Sequence, residues 1–100
     1  MPTHYLLMRR LIKALRTRQG LTQEGLAEKA GLDYKYYQRF EIGATDAPTV
    51  KTLEKLGEVL GVKPWVLLCD DLELIAEKTG IRGLERKVQA KVGRPAKNAP

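Results

Sequence analysis

Between Gln23 and Glu41 two short apolar-striped segments meet at one glycine, and this spacing leaves the chain few folds to choose from. Leu26, Ala27 and Ala30 share one face of the first segment, and Tyr37 and Phe40 share one face of the second. Gly31 lies between them, where a backbone free to turn left-handed suits a tight turn of about three residues. Ala27 is small at the point where two helices at a steep angle would cross, and a larger side chain would hold them apart. Thr22 and Asp33 are each a residue type whose side-chain oxygen caps a helix start. The spacing therefore predicts helices over Gln23–Ala30 and Tyr34–Ile42, the second stopped by Gly43.

The rest of the chain follows the same helical period, with no strand alternation. Thr3 suits the start of a first helix reaching about Gln19, with Leu7, Leu11, Ile12 and Leu15 on one face and Gly20 after it. Pro48 suits entry to a fourth helix, Thr49–Leu60, striped by Leu53, Leu56, Val59 and Leu60. Lys63 to Leu68 reads as a short fifth helix with Trp65 as a core anchor. Leu72, Ile75 and Thr79 suit one side of a further helix, and Leu84 and Val88 one side of another. The last stretch, Lys91–Pro100, is polar, aperiodic and holds two prolines, which predicts disorder. The expected architecture is all-α: a compact five-helix domain over 4–69, a helical extension over 70–90 and a flexible basic tail over 91–100.

On a helical wheel, the Tyr34–Ile42 segment divides by chemistry. Tyr37 and Phe40 fall on one side with Asp33, flanked by Glu41 and Tyr36. Tyr34, Lys35, Gln38, Arg39 and Ile42 fall on the other. Arginine pairs bidentately with guanine, glutamine with adenine, and lysine with guanine or phosphate. That face is either a solvated surface or a base-reading one, and its place as the second helix of a helix-turn-helix favours the latter.

Charge points the same way. The net +6 is made of +4 over residues 1–43 (eight Lys/Arg, four Asp/Glu), −3 over 44–80 (four, seven) and +5 over 81–100 (six, one). Two basic ends around an acidic middle suit a polyanionic partner. Other classes are disfavoured. No apolar run approaches the ~18 residues of a bilayer span, and Met1 to His4 does not open like a secretory signal. One cysteine, Cys69, forms no internal disulfide, which suits the cytoplasm. Cys69-Asp70-Asp71 lacks spaced partners for a metal, and His4 is the single histidine. No nucleophile–base pairing is visible, so neither an enzyme nor a cofactor is expected.

The run LRTRQGLTQEGLAEKAGLDYKYYQRFEIG, followed by APTVKTLEKLGEVLGVKPWVLL, resembles the phage repressor/Cro-type (Xre-type) helix-turn-helix family. Leu-Thr-Gln opens the second helix, Ala-Gly-Leu forms the turn, Glu-x-Gly ends the third helix and Leu-Gly-Val follows the fourth. The resemblance covers about Leu7 to Leu68 and implies a lambda-repressor-like fold and binding to double-stranded DNA. It implies base contacts from Tyr34, Lys35 and Arg39, with Gln38 beside them. Phosphate contacts are assigned to Thr22, Gln23, Arg18 and Thr45. Tyr36 either joins them or packs at the core edge. Arg16 and Glu41 match an ion pair tying the first helix to the third. Gly25, Gly57 and Tyr37 depart from the family's usual residues, and so leave the DNA sequence unspecified.

Gly93-Arg94-Pro95 resembles the centre of an AT-hook, in which arginine enters a narrow minor groove. Val92 stands where that pattern has a basic residue, so Arg94 is either a minor-groove contact or part of a generic basic tail. The function these features imply is a cytoplasmic transcriptional regulator, most simply a repressor. A homodimer is expected, because one domain buries too little surface to bind tightly and a two-fold pair reaches adjacent half-sites. Residues 70–90 are the candidate dimer contact. The alternative is an antitoxin that neutralises a toxin or other protein partner and controls its own operon.

Overall fold

A computed structural model describes residues 4–84; Val88, Arg94 and the 91–100 tail lie outside the described residues. Among the described residues six helices follow one another: α1 (His4–Arg18), α2 (Gln23–Ala30), α3 (Tyr34–Glu41), α4 (Val50–Leu60), α5 (Pro64–Leu67) and α6 (Leu72–Thr79). The described residues contain no strand, and the fold is all-α.

Local chemistry sets most of these boundaries. Thr22 accepts a hydrogen bond from Gly25 N–H at 2.9 Å, and Asp33 accepts one from Tyr36 N–H at 2.9 Å. Each satisfies an N–H that the first helical turn leaves without a partner. Between these caps, Gly31 takes φ +72° and its N–H bonds back to Ala27 and Glu28. Two starts and one stop within about a dozen residues fix the angle at which α2 and α3 meet. α4 begins one residue later than the Pro48-Thr49 pattern predicts. Thr49 stays extended and uses its hydroxyl to cap Thr52 N–H at 3.2 Å.

One continuous core joins all six helices. Leu11, Ile12 and Leu15 of α1 are fully buried with Leu26, Phe40, Leu53, Leu56 and Leu67. Ile75 of α6 and Leu84 beyond it are each 1% exposed and belong to the same cluster. Burying side chains of this size stabilises by about 1.5–3 kcal/mol each. Residues 72–84 thus add apolar surface to the core rather than standing apart from it. Asp71 starts α6 by capping Glu73 and Leu74 N–H groups.

Trp65 does not anchor the core as its sequence context suggests. It is 48% exposed, and the Lys78 ammonium lies 6.0 Å from its ring centroid. α5 is a single turn, and its inward places go to the next two residues, Val66 and Leu67. Gly57 has a reason that only the fold shows. A Cβ there would stand 2.5 Å from the Val62 carbonyl oxygen, because the chain after α4 folds directly back over that helix.

Candidate nucleic-acid interface

The third helix is held in place by a carboxylate whose acceptor sites are filled. Glu41, 8% exposed, accepts from Arg16 Nε at 2.6 Å, from Arg16 Nη2 at 3.1 Å and from Gln23 Nε2 at 2.8 Å. The Tyr37 hydroxyl, one helical turn back, donates the fourth bond. A carboxylate has about four acceptor positions, and here all are used. Arg16 also donates Nη1 to the Leu21 carbonyl at 2.8 Å, so one guanidinium ties α1, the α1–α2 connection and α3 together. Burial works against both charges, pulling the Arg16 pKa down and the Glu41 pKa up. Their hydrogen bonds outweigh it, so Arg16 is held above its ordinary range and Glu41 below. Burial, then the bond to Glu41, pushes the Tyr37 phenol upward.

The opposite side of α3 is the reverse. Tyr34, Lys35, Gln38 and Arg39 are all exposed, Tyr34 at 39%. None of their side chains makes a hydrogen bond or ion pair among the described residues. Ile42, just past the helix, is 73% exposed beside them. Phe40 packs inward against Tyr37 and Tyr5, with ring centroids 5.7 Å and 6.0 Å away. Tyr36 stacks on Phe40 at 6.5 Å and keeps one edge on an open cleft of ≈ 760 Å³ between α3 and the start of α4. Arg39, Thr45, Thr49 and Thr52 line that cleft as well.

The remaining expected site residues are distributed around this frame. Thr22 and Gln23 lie together at the start of α2, and Gln23 reaches α3 through Glu41. Thr45 sits in the loop after α3, its hydroxyl 3.0 Å from the Tyr5 hydroxyl. Arg18 is engaged elsewhere: its guanidinium donates to the Thr79 carbonyl at the end of α6, a favourable place for a cation.

Two residues that hold the interface are not visible in the local sequence. Tyr5 donates to the Thr45 carbonyl at 3.0 Å, pinning the loop after α3. Arg9 donates to the Glu41 carbonyl at 3.0 Å and so caps the C-terminal end of α3. Gly43 makes room for it. Its φ is +82°, and a Cβ there would lie 2.8 Å from Arg9 Cζ. These partners are 40 and 32 residues apart in sequence, so periodicity cannot find them. The Tyr37–Glu41 bond, by contrast, is signalled by its i, i+4 spacing.

The helix-turn-helix family model matches residues 12–64, a span that takes in this helix pair and the turn that fixes it. The chain belongs to the helix-turn-helix family. The family span takes in Arg16, Gln23, Glu41 and all of α2 to α4, and leaves out Tyr5, Arg9 and α6. Two relatives come from Bacillus subtilis (strain 168). An SPbeta prophage-derived uncharacterized HTH-type transcriptional regulator, YonR, is 39% identical over 57 residues, which is 57% of this chain and 52% of that protein. An uncharacterized HTH-type transcriptional regulator, YqaF, is 36% identical over 66 residues, 66% of this chain and 84% of that one. The match spans about half of the first relative and most of the second. No solved structure matches the chain. Among the described residues no helix is long and apolar enough to cross a membrane, and no group of three His, Cys, Asp or Glu residues is placed to hold a metal ion.

Proposed function

We propose that this helix-turn-helix protein binds double-stranded DNA at specific sites and regulates transcription, with α3 lying in the major groove. The observation that carries the proposal is the outward face of α3. Tyr34, Lys35, Gln38 and Arg39 are exposed, with no side-chain partner among the described residues, on a helix whose other face is locked. Such a face offers fork, amide and ammonium donors to base edges without first breaking a bond inside the protein. The names of both relatives, as transcriptional regulators, favour the same conclusion.

The other contacts follow from the frame. Gln23 spends one amide hydrogen on Glu41 and has a second for a phosphate at the start of α2, where backbone N–H groups also favour an anion. Tyr36 at the edge of α3, with Thr22 and Thr45 on either side of that helix, meets the same backbone. Arg18, bound to the end of α6, is not among the contacts we propose. The protein acts in the cytoplasm as a homodimer and represses by occupying its site. Ile75, Ala76 and Leu84 face their own core. A dimer contact in residues 70–90 therefore uses the outward side of α6, beside the exposed Trp65 and Leu68.

Gel retardation tests this with fragments of the source genome. Folded protein is expected to retard a subset of fragments at low salt and to keep that subset against excess competitor. Retardation of no fragment would overturn the proposal, and equal retardation of all would remove its sequence specificity.

A further inference from the structure

We propose that Arg9, Arg10 and Lys13 of α1 form a site for one phosphodiester group of the DNA backbone, beside the C-terminal end of α3. This rests on the DNA-binding reading above and adds a contact from the first helix. Arg9 and Arg10 lie before the span that the family model matches.

α1 carries Arg9, Arg10, Lys13, Arg16 and Arg18 and no acidic residue. Arg16 is paired with Glu41, and Arg18 with the carbonyl end of α6. The other three line a small cleft of ≈ 60 Å³ together with Glu41. That space holds a few waters or the oxygens of a phosphate, and is too small for a base. Among the described residues, Glu41 is the one carboxylate lining it. Its four bonds to Arg16, Gln23 and Tyr37 leave no acceptor position for a further guanidinium.

The result is a cluster of positive charge with spare donors. Arg9 Nε and Arg10 Nε are both buried, and neither has an acceptor among the described residues. Burial of such donors carries a cost that an acceptor removes. Burial and then the neighbouring Arg9 charge lower the Arg10 pKa, which an anion between them would reverse. A phosphodiester supplies one negative charge and several acceptor positions, and guanidinium groups match its geometry. Position selects the DNA backbone as its source. Arg9 rests on the last turn of α3, and a helix lying in the major groove has its ends near the flanking phosphates.

The test uses the full chain with Arg10→Gln and Lys13→Gln together, which leaves the Arg9 bond to α3 in place. DNA affinity is measured across a range of salt concentrations on a preferred duplex and on a scrambled one. The double variant is expected to bind both several-fold more weakly, with the slope of log affinity against log salt shallower by about one, the share of a single phosphate. The charge-keeping variant Arg10→Lys with Lys13→Arg should keep the wild-type slope. Lys13→Gln alone changes only an exposed position and should give a smaller shift of the same sign. If the folded double variant keeps wild-type affinity and slope while Arg39→Ala still weakens binding, this site is wrong and the DNA-binding reading survives. If wild-type protein binds no DNA at low salt, both fall together.

Discussion

Glu41 and Arg39 stand two residues apart at the end of α3, and the fold treats their charges in opposite ways. Glu41 is buried under four hydrogen bonds from three residues of α1, α2 and α3. Arg39 is exposed, with no partner for its side chain among the described residues. Both are ordinary charged residues of one short helix, so the difference comes from what tertiary packing brings to each side. One side is committed to holding the helix at a fixed angle, and the other is left able to bond to something else. Interactions inside the protein should therefore set stability, while those on the outer face should set binding.

The largest expected effect breaks the inner side. Arg16→Ala leaves Glu41 buried without its ion partner and should cost ~3–5 kcal/mol of unfolding free energy in urea or guanidinium. Replacing both members, as Arg16→Met with Glu41→Leu, should recover part of that loss, because no unpaired charge remains. A loss within ~0.5 kcal/mol for Arg16→Ala would place this pair with surface pairs and dissolve the contrast with Arg39.

A smaller effect is expected from pH. The folded state holds the Glu41 proton more weakly than the unfolded chain, whose ordinary value is 4.5. This contribution is therefore whole above that value and is lost as pH falls through it toward the folded pKa. Acid titration of stability should show this decline, and Glu41→Gln should flatten it. An unchanged acid limb in that variant would mean that other carboxylates account for the loss.

Much of the inner side was legible in the sequence because its determinants are local. The caps at Thr22 and Asp33, the turn at Gly31 and the inward Tyr37 and Phe40 all follow from spacing within the one stretch from Thr22 to Phe40. The family resemblance implies the Arg16–Glu41 pair, and the two side chains are in contact. Features set by distant packing were not legible. Trp65 is not the core anchor its context suggests, because a one-turn helix has no periodicity to show which residue faces in. The need for glycine at position 57 arises from a carbonyl in the following turn. Tyr5 on Thr45 and Arg9 on Glu41 join segments that no local pattern links.

The claim that α3 reads base edges is tested most directly by selecting bound sequences from random DNA with wild-type protein and with Arg39→Ala. Wild type should enrich one short motif. Arg39→Ala, folded and of near-unchanged stability, should lose preference at one base pair of that motif, at about 1–3 kcal/mol. An identical motif and preference from both proteins would contradict the role of Arg39. No enrichment by folded wild-type protein at low salt would contradict the account as a whole.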